Sequence, residues 1–419
     1  MKACSTLLAI FLIAGAAAKA QVVPAIEGPF GPPVSGILHY DLRYTQTAQF
    51  YGGSIGTEQR GAASGEMAYA NSSAVLPFNV TYSGGDSWNI SGPSEGGAGV
   101  FQHMLASQGI VRRDWTFKLM DDVSYMPQAP TTGFSGIPGV GGLPPPPTPP
   151  NQPILTQNTR SVYNTVSPNF THTFGHATSL ECGASYSVQR FPDGNGLDAD
   201  SVQANGQVTR KLDALNSLTG QYVYAHTSYP GYSKLTMDTH SALFGYERLW
   251  NRQFKTRVSA GPEWVESSDN LLVPASTNLT VSASATYDFR STSAGVNYYR
   301  ATTGSAGEAS EVGIHNDDVN GDLTQQFGRD LTVSLTGAYM RTRGLSVQLD
   351  KTEVTNAEYG GVSATRRLGR YFTVFANYTV ISQSTNYTGS PTPANIVNGL
   401  SQVLGFGIGY SPRDLHFKK

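Results

Sequence analysis

The chain has little cysteine, little charge and no long apolar run, and each shortage excludes something. Cysteine occurs twice in 419 residues. Cys4 falls in an N-terminal leader, so Cys182 has no partner within the mature chain and a disulfide framework is excluded. Cys182 stands between Leu180 and Ala184 on an alternating segment, where it reads as a small apolar side chain rather than a reactive thiol. Charged residues are 14% of the chain and the formal net charge is -2, which leaves no footprint for nucleic acid. Lysine is scarce and long Glu/Lys/Leu helical runs are missing. Mean hydropathy is -0.25. No stretch after the leader approaches the ~20 apolar residues of a spanning helix. A membrane is therefore open to this chain only as a closed barrel, because lipid leaves no other way to satisfy a non-helical backbone.

What is present points to strands. The 46 glycines, 22 tyrosines and 18 phenylalanines, with abundant Thr and Ser, are a β composition. Residues 1–20 read as a cleaved export signal: Lys2, an apolar Leu7 to Ala18, and a small-x-small Ala18-Lys19-Ala20, which leaves Gln21 as the mature start. No cysteine follows the cleavage site, so lipid attachment there is not expected. Residues 21–35 are a Pro/Gly-rich lead-in, expected to be disordered in the periplasm. Residues 126–157 are the second biased segment and contain Pro144 to Pro150, which cannot donate to a ladder. By composition it is either a linker between domains or one long loop.

A repeat decides between them. Phe174, Leu212, Leu249, Phe289, Phe327 and Leu368 each precede a tight turn, at spacings of 38, 37, 40, 38 and 41 residues. Strict alternation follows each turn. Leu279, Val281, Ala283, Ala285, Tyr287 and Phe289 share one face; Thr280, Ser282, Ser284, Thr286 and Asp288 share the other. In the same way Val258 and Trp264 oppose Lys255, Arg257, Ser259 and Glu263. A repeat of this length also fits a propeller blade, but a blade needs four short strands. Two long strands, one tight turn and one looser loop make the hairpin unit of a transmembrane barrel.

The pattern predicts five strands before the Pro-rich segment (37–50, 59–71, 75–84, 98–107 and 111–125) and thirteen after it, from 159–174 to 400–411. The total of eighteen is even, so both ends of a single barrel spanning 36–411 return to the periplasm. Eight tight turns then lie on that side, and residues 126–157 become one of nine external loops. Residues 412–419 form a C-terminal tail, expected in the periplasm or tucked into the lumen. Tyr40, Tyr44, Tyr222, Tyr224, Trp264, Tyr287, Phe289, Tyr339, Phe372 and Tyr378 are placed for an aromatic girdle. The expected fold is all-β, one antiparallel barrel of about eighteen strands in a bacterial outer membrane, with lipid around it.

Residues 402–410, Gln-Val-Leu-Gly-Phe-Gly-Ile-Gly-Tyr, resemble the C-terminal signal that barrel-assembly machinery recognises, although Tyr410 is not terminal. With Leu-Gly-Arg-Tyr-Phe at 368–372, Phe-Gly-Ile-Gly-Tyr-Ser-Pro-Arg at 406–413 and Gly-Phe-Ser-Gly-Ile-Pro-Gly-Val-Gly at 133–141, the chain is similar to uncharacterised outer-membrane barrels of Acidobacteria. More loosely it resembles barrels that accompany exosortase and exopolysaccharide systems. The resemblance spans nearly the whole mature chain. It implies a fold and an envelope location, with polysaccharide cargo by association only.

Chemistry is sparse. Gly92-Pro93-Ser94-Glu95-Gly96 matches G-x-S-x-G but lies in a loop with no helix behind it. The eight histidines show no metal-ligand spacing. His315, Asn316, Asp317, Asp318 and Asp322 lack the spacing of a calcium loop and read as a solvated strand end. No cofactor is expected, and no enzyme. The informative face is the lumen, which the alternation lines with Thr, Ser, Asn and Gln and with few charges: Lys255, Arg257, Glu263, Asp288 and Glu181, with Asp41 and Arg43 beside them. Sparse mixed charge suits neutral or weakly charged solutes such as saccharides. The leading expectation is a channel or exporter for solutes or polysaccharide. A structural or adhesive envelope protein with a closed lumen comes next, and an outer-membrane enzyme last.

Overall fold

The computed structural model describes residues 36–51, 57–71, 73–92, 99–126, 160–194, 197–231, 235–304, 312–345, 354–386, 399–413 and 415–416. The leader, the lead-in, nearly all of the Pro-rich segment and most of the Gly92 to Gly96 motif lie outside them. Eighteen strands of 12 to 15 residues run antiparallel, each paired with its sequence neighbour, from β1 (Ile37–Tyr51) to β18 (Gly399–Tyr410). The sheet closes where β1 pairs with β18, from Leu42↔Tyr410 to Tyr51↔Ser401. Closure leaves no free edge along the ladder, which is what lipid demands of a sheet.

The strand ends alternate between two rims. The short connections share one rim: 112–114, 175–177, 212–215, 250–253, 290–291, 328–330 and 369–371, with the wider 72–77. In three of them a glycine directly after the large apolar residue takes a left-handed backbone, Gly175 (φ 62), Gly328 (φ 65) and Gly369 (φ 72). The same position after Phe289 is held by Arg290 at φ 49, the one described non-glycine with positive φ. Short turns mark the periplasmic rim. At the opposite rim the strands that flank the Pro-rich segment, β5 (Trp115–Met126) and β6 (Ser161–Phe174), are direct partners through Met126↔Ser161. Those residues therefore connect neighbours in one sheet.

Alternation separates two faces all round the ring. Outward stand large apolar side chains, Phe244 on β10 (Thr236–Leu249) being 79% exposed and Leu279 on β12 (Ser276–Phe289) 54%. Inward stand Thr, Ser, Asn, Gln and the charges. Fourteen residues at ~3.3 Å each and ~40° tilt rise about 35 Å, more than the ~25 Å apolar band of such barrels.

Several strand boundaries differ from the sequence pattern, and two of the differences have a clear physical cause. β3 (Phe78–Ser91) runs on through Gly84 and Gly85, where the sequence pattern ends the strand at 84. The pair is there for space: a Cβ on Gly85 would lie 2.7 Å from the Phe101 ring, and one on Gly84 2.6 Å from the Tyr82 hydroxyl. β5 begins at Trp115 rather than 111, because Arg112 to Asp114 make the turn. Part of the tail is also in the sheet. Leu415–His416 form β19, which extends the β18 edge by pairing with Leu38 and Ile37 of β1.

Candidate functional site: the barrel lumen

The inner wall is built of cross-strand polar pairs. Thr324 meets Ser334 at 2.9 Å, Asn297 donates to Asn320 at 3.0 Å, and Gln49 donates to Ser401 at 3.0 Å across the closing seam. Several charges are neutralised by partners on the wall. Arg43 holds Asp41 at 2.5 Å and approaches Glu66 at 3.6 Å. Arg60 and Glu58 pair at 2.8 Å, both buried. His103 faces Asp122 at 2.9 Å.

The residues singled out in the sequence distribute along this face. On β11 (Phe254–Ser267), Lys255, Arg257 and Glu263 alternate with outward Val258 and Trp264, which are 51% and 41% exposed. Lys255 lies near the periplasmic rim and pairs with Glu247 at 2.9 Å. Arg257 stands in register with Glu247. Glu263 sits higher and is only 4% exposed. Its carboxylate accepts the backbone N–H of Thr302 at 2.9 Å. Asp288 is at the exposed periplasmic end of β12. Glu181, on β7 (Thr178–Arg190), accepts from Asn169 at 2.8 Å. These side chains share a face but not a site, because they are spread over three strands and the full height of the wall. His315 and Asp317 point outward while Asn316 and Asp318 point inward, so alternation splits that acidic run. Among the described residues no three His, Cys, Asp or Glu side chains converge as a metal site.

Burial of the wall changes with height, which sequence patterning does not reveal. Near the extracellular rim the inner residues are buried from β6 to β18: Gln189, Thr227, Asn316, Thr355 and Ser401 (1%) among them. Lower on these strands Ser284, Asn297, Thr324, Ser334, Asn377 and Thr379 are half-exposed, whereas on β3 and β4 (Gly99–Val111) Asn79 (2%) and Ser107 (5%) are buried near the periplasmic rim as well. An apolar cluster accounts for part of the upper burial. Leu197, Tyr229, Leu235, Val273 and Val312, all from connections on that rim, close over Ala199, Met237 and Val265. Tyr229 is 2% exposed, and burial pushes its phenol far above the ordinary range. Its hydroxyl has no hydrogen-bond partner among the described residues. The separated positions 197, 229, 235, 273 and 312 gave no sequence signal of meeting.

Neither a family model nor a curated protein sequence matches the chain. Its shape is similar to several solved structures. OccK2 (OpdF) of Pseudomonas aeruginosa aligns with TM-score 0.49 at 9% identity, over 93% of this chain and 100% of that one. OccAB3 of Acinetobacter baumannii aligns at 0.47 and 8%, over 91% and 99%. The FrpB iron transporter from Neisseria meningitidis (F3-3 variant) aligns at 0.42 and 8%, over 89% and 82%. What the chain is follows from its own geometry. A closed eighteen-strand ring with an apolar outward band and aromatic residues at both edges is an outer-membrane β-barrel protein.

Proposed function

We propose that this barrel is a diffusion channel for small neutral or weakly charged solutes, saccharides above all, narrowed in its extracellular third. The observation that carries the reading is the change in wall burial with height. From β6 to β18 the hydroxyl and amide side chains of the lower lumen are half-exposed to solvent, whereas the inner residues near the extracellular rim are buried. Eighteen strands enclose enough width for an aqueous path. The neutral polar groups supply donors and acceptors to exchange with a sugar's hydroxyls, and the paired charges exert little net pull on ions. Lys255, Arg257, Asp288 and Glu181 act in this reading as weak selectors along the wall, with Glu263 as a fixed part of the narrow region. Export of a polysaccharide asks for a clear lumen along its whole length, so the buried ring favours small solutes. The likeness to acidobacterial envelope barrels is one of structural motifs and brings no cargo with it.

The same ring favours a second reading, a structural envelope protein with a sealed lumen. Liposome swelling with sugars of graded size, run beside planar-bilayer conductance, separates the two. The channel reading expects swelling with mono- and disaccharides, a size cut-off and small conductance. No swelling at any size and no conductance would leave the structural reading. Insertion is expected to depend on the barrel-assembly machinery, through the closing strand β18.

A further inference from the structure

The periplasmic rim carries an excess of cations, and they recur at one position of the hairpin repeat. Arg210, Arg248 and Arg366 each stand outward two residues before a girdle residue, Leu212, Trp250 and Leu368. A long side chain placed there reaches down past the girdle to the headgroup level. Arg248 shows the gesture directly: its guanidinium lies 4.1 Å over the Trp250 ring. Arg290 lies over Phe289 in the same way at 5.1 Å.

The excess is greatest at the turn joining β16 (Val354–Leu368) to β17 (Phe372–Asn386). Arg366 and Arg370 are exposed there, and Ser411 donates its N–H to the Tyr371 carbonyl at 2.7 Å, which brings the exposed Arg413 to the same corner. None of the three has an ion-pair partner among the described residues. Other outward cations do: Arg190 holds Asp200 at 2.6 Å, and Arg160 holds Asp193. The neighbouring turn carries Asp330 together with Arg329, and Asp414 lies outside the described residues. Beneath the arginines Phe372, Tyr371 and Tyr410 form an aromatic ledge, with ring centroids 5.3 and 6.4 Å from Tyr410. Leu368 and Phe372 continue it as exposed apolar surface.

We propose that this corner binds an anionic phospholipid of the periplasmic leaflet. The chemistry is complementary at both ends of such a molecule. Guanidinium groups bind phosphate oxygens in bidentate pairs, and basic clusters at a membrane surface select anionic headgroups. The acyl chains lie along Leu368, Phe372 and the outward band above them.

The test uses the purified full-length barrel in detergent, supplied with equal amounts of phosphatidylglycerol, cardiolipin and phosphatidylcholine, with retained lipid read by native mass spectrometry. The wild type is expected to retain the anionic lipids over the neutral one. The variant R366Q/R370Q/R413Q should lose that enrichment by about tenfold, while R112Q/R113Q, on another periplasmic turn, keeps it. A heat-dependent shift on gels checks that each variant is folded. If the triple variant does not fold, the wild-type lipid competition still decides. Equal retention of neutral and anionic lipid overturns the proposal, as does wild-type enrichment in the folded triple variant. Displacement of the lipid by excess inorganic phosphate would mark a bare phosphate site and overturn it too.

Discussion

Glu263 reaches past β12 to take the backbone N–H of Thr302, 39 positions away in sequence and 2.9 Å away in space. The contact exists because the ladder between β12 and β13 (Thr292–Thr303) ends at Val281↔Arg300, while both strands continue toward the extracellular rim. The freed N–H is buried and must find an acceptor. Asn278 adds a bond to the Thr302 hydroxyl at 3.2 Å. Glu263→Ala orphans the N–H, at a cost of about 1–3 kcal/mol. Glu263→Gln keeps an amide oxygen in reach and should lose less than half of that. Urea unfolding in micelles, followed by the gel-shifted folded band, gives both numbers. An alanine variant as stable as the wild type would show that the carboxylate does not seal this gap.

The turn glycines make a cleaner case, because backbone conformation acts there alone. A Cβ added to Gly175, Gly328 or Gly369 would meet nothing within 4 Å. The cost of a side chain is therefore the left-handed backbone itself, about 1–2 kcal/mol. Gly328→Ala and Gly369→Ala should each lower the urea midpoint by a matching amount, and the double variant by the sum. Unchanged midpoints would mean that these turns relax without strain.

Much of this fold was legible because a barrel has one rule, period two, applied to every strand. The range 37–50 read from alternation is the strand Ile37–Tyr51 to within one residue. The turn-plus-girdle repeat located six periplasmic turns, four of them with a left-handed residue directly after the large apolar one, since that pattern is a local requirement. The reading failed at Gly84-Gly85, where glycine makes room for Phe101 and Tyr82 and the strand runs on instead of ending. A contact on a neighbouring hairpin cannot be seen in a local pattern. The lumen was legible in direction only. Alternation places Glu263 on the inner face, but its burial depends on rim connections and on Thr302. The apolar cluster around Tyr229 and Val273 was hidden for the same reason, being assembled from four separate connections.

Cys182 offers a direct test of register. It is exposed on the outward face of β7, in register with Phe170 and Gly206, while Glu181 beside it points inward. Four residues above the turn, at ~3.3 Å each and ~40° tilt, put its sulfur about 10 Å into the apolar band. A nitroxide on Cys182 in liposomes should relax with dissolved oxygen and little with a water-soluble nickel chelate. A nitroxide on Glu181→Cys, in a Cys182→Ala background, should show the reverse. A one-residue slip exchanges the two faces, so exchanged accessibilities would refute the register of this hairpin.

Asp213 ties one periplasmic turn to pH. Its carboxylate accepts from the Asn216 side chain at 2.7 and 2.9 Å and from the backbone N–H groups of Leu215 at 2.7 Å and Asn216 at 2.8 Å. The Asn216 side chain first, then the Leu215 N–H, holds this carboxyl below the usual carboxylate range. A depressed folded value means that the unfolded chain takes up the proton first as pH falls. The stabilisation is therefore complete above the unfolded value of about 3.9 and is lost as pH drops through the lower folded value. Asp213→Ala should unfold at lower urea than the wild type by a constant margin between pH 5 and 8. Below about pH 4 the margin should close, because the protonated wild type has given up the same bonds. Urea midpoints taken across this range decide the matter, and a margin that stays flat down to pH 2.5 would show that Asp213 acts through its shape and not through its charge.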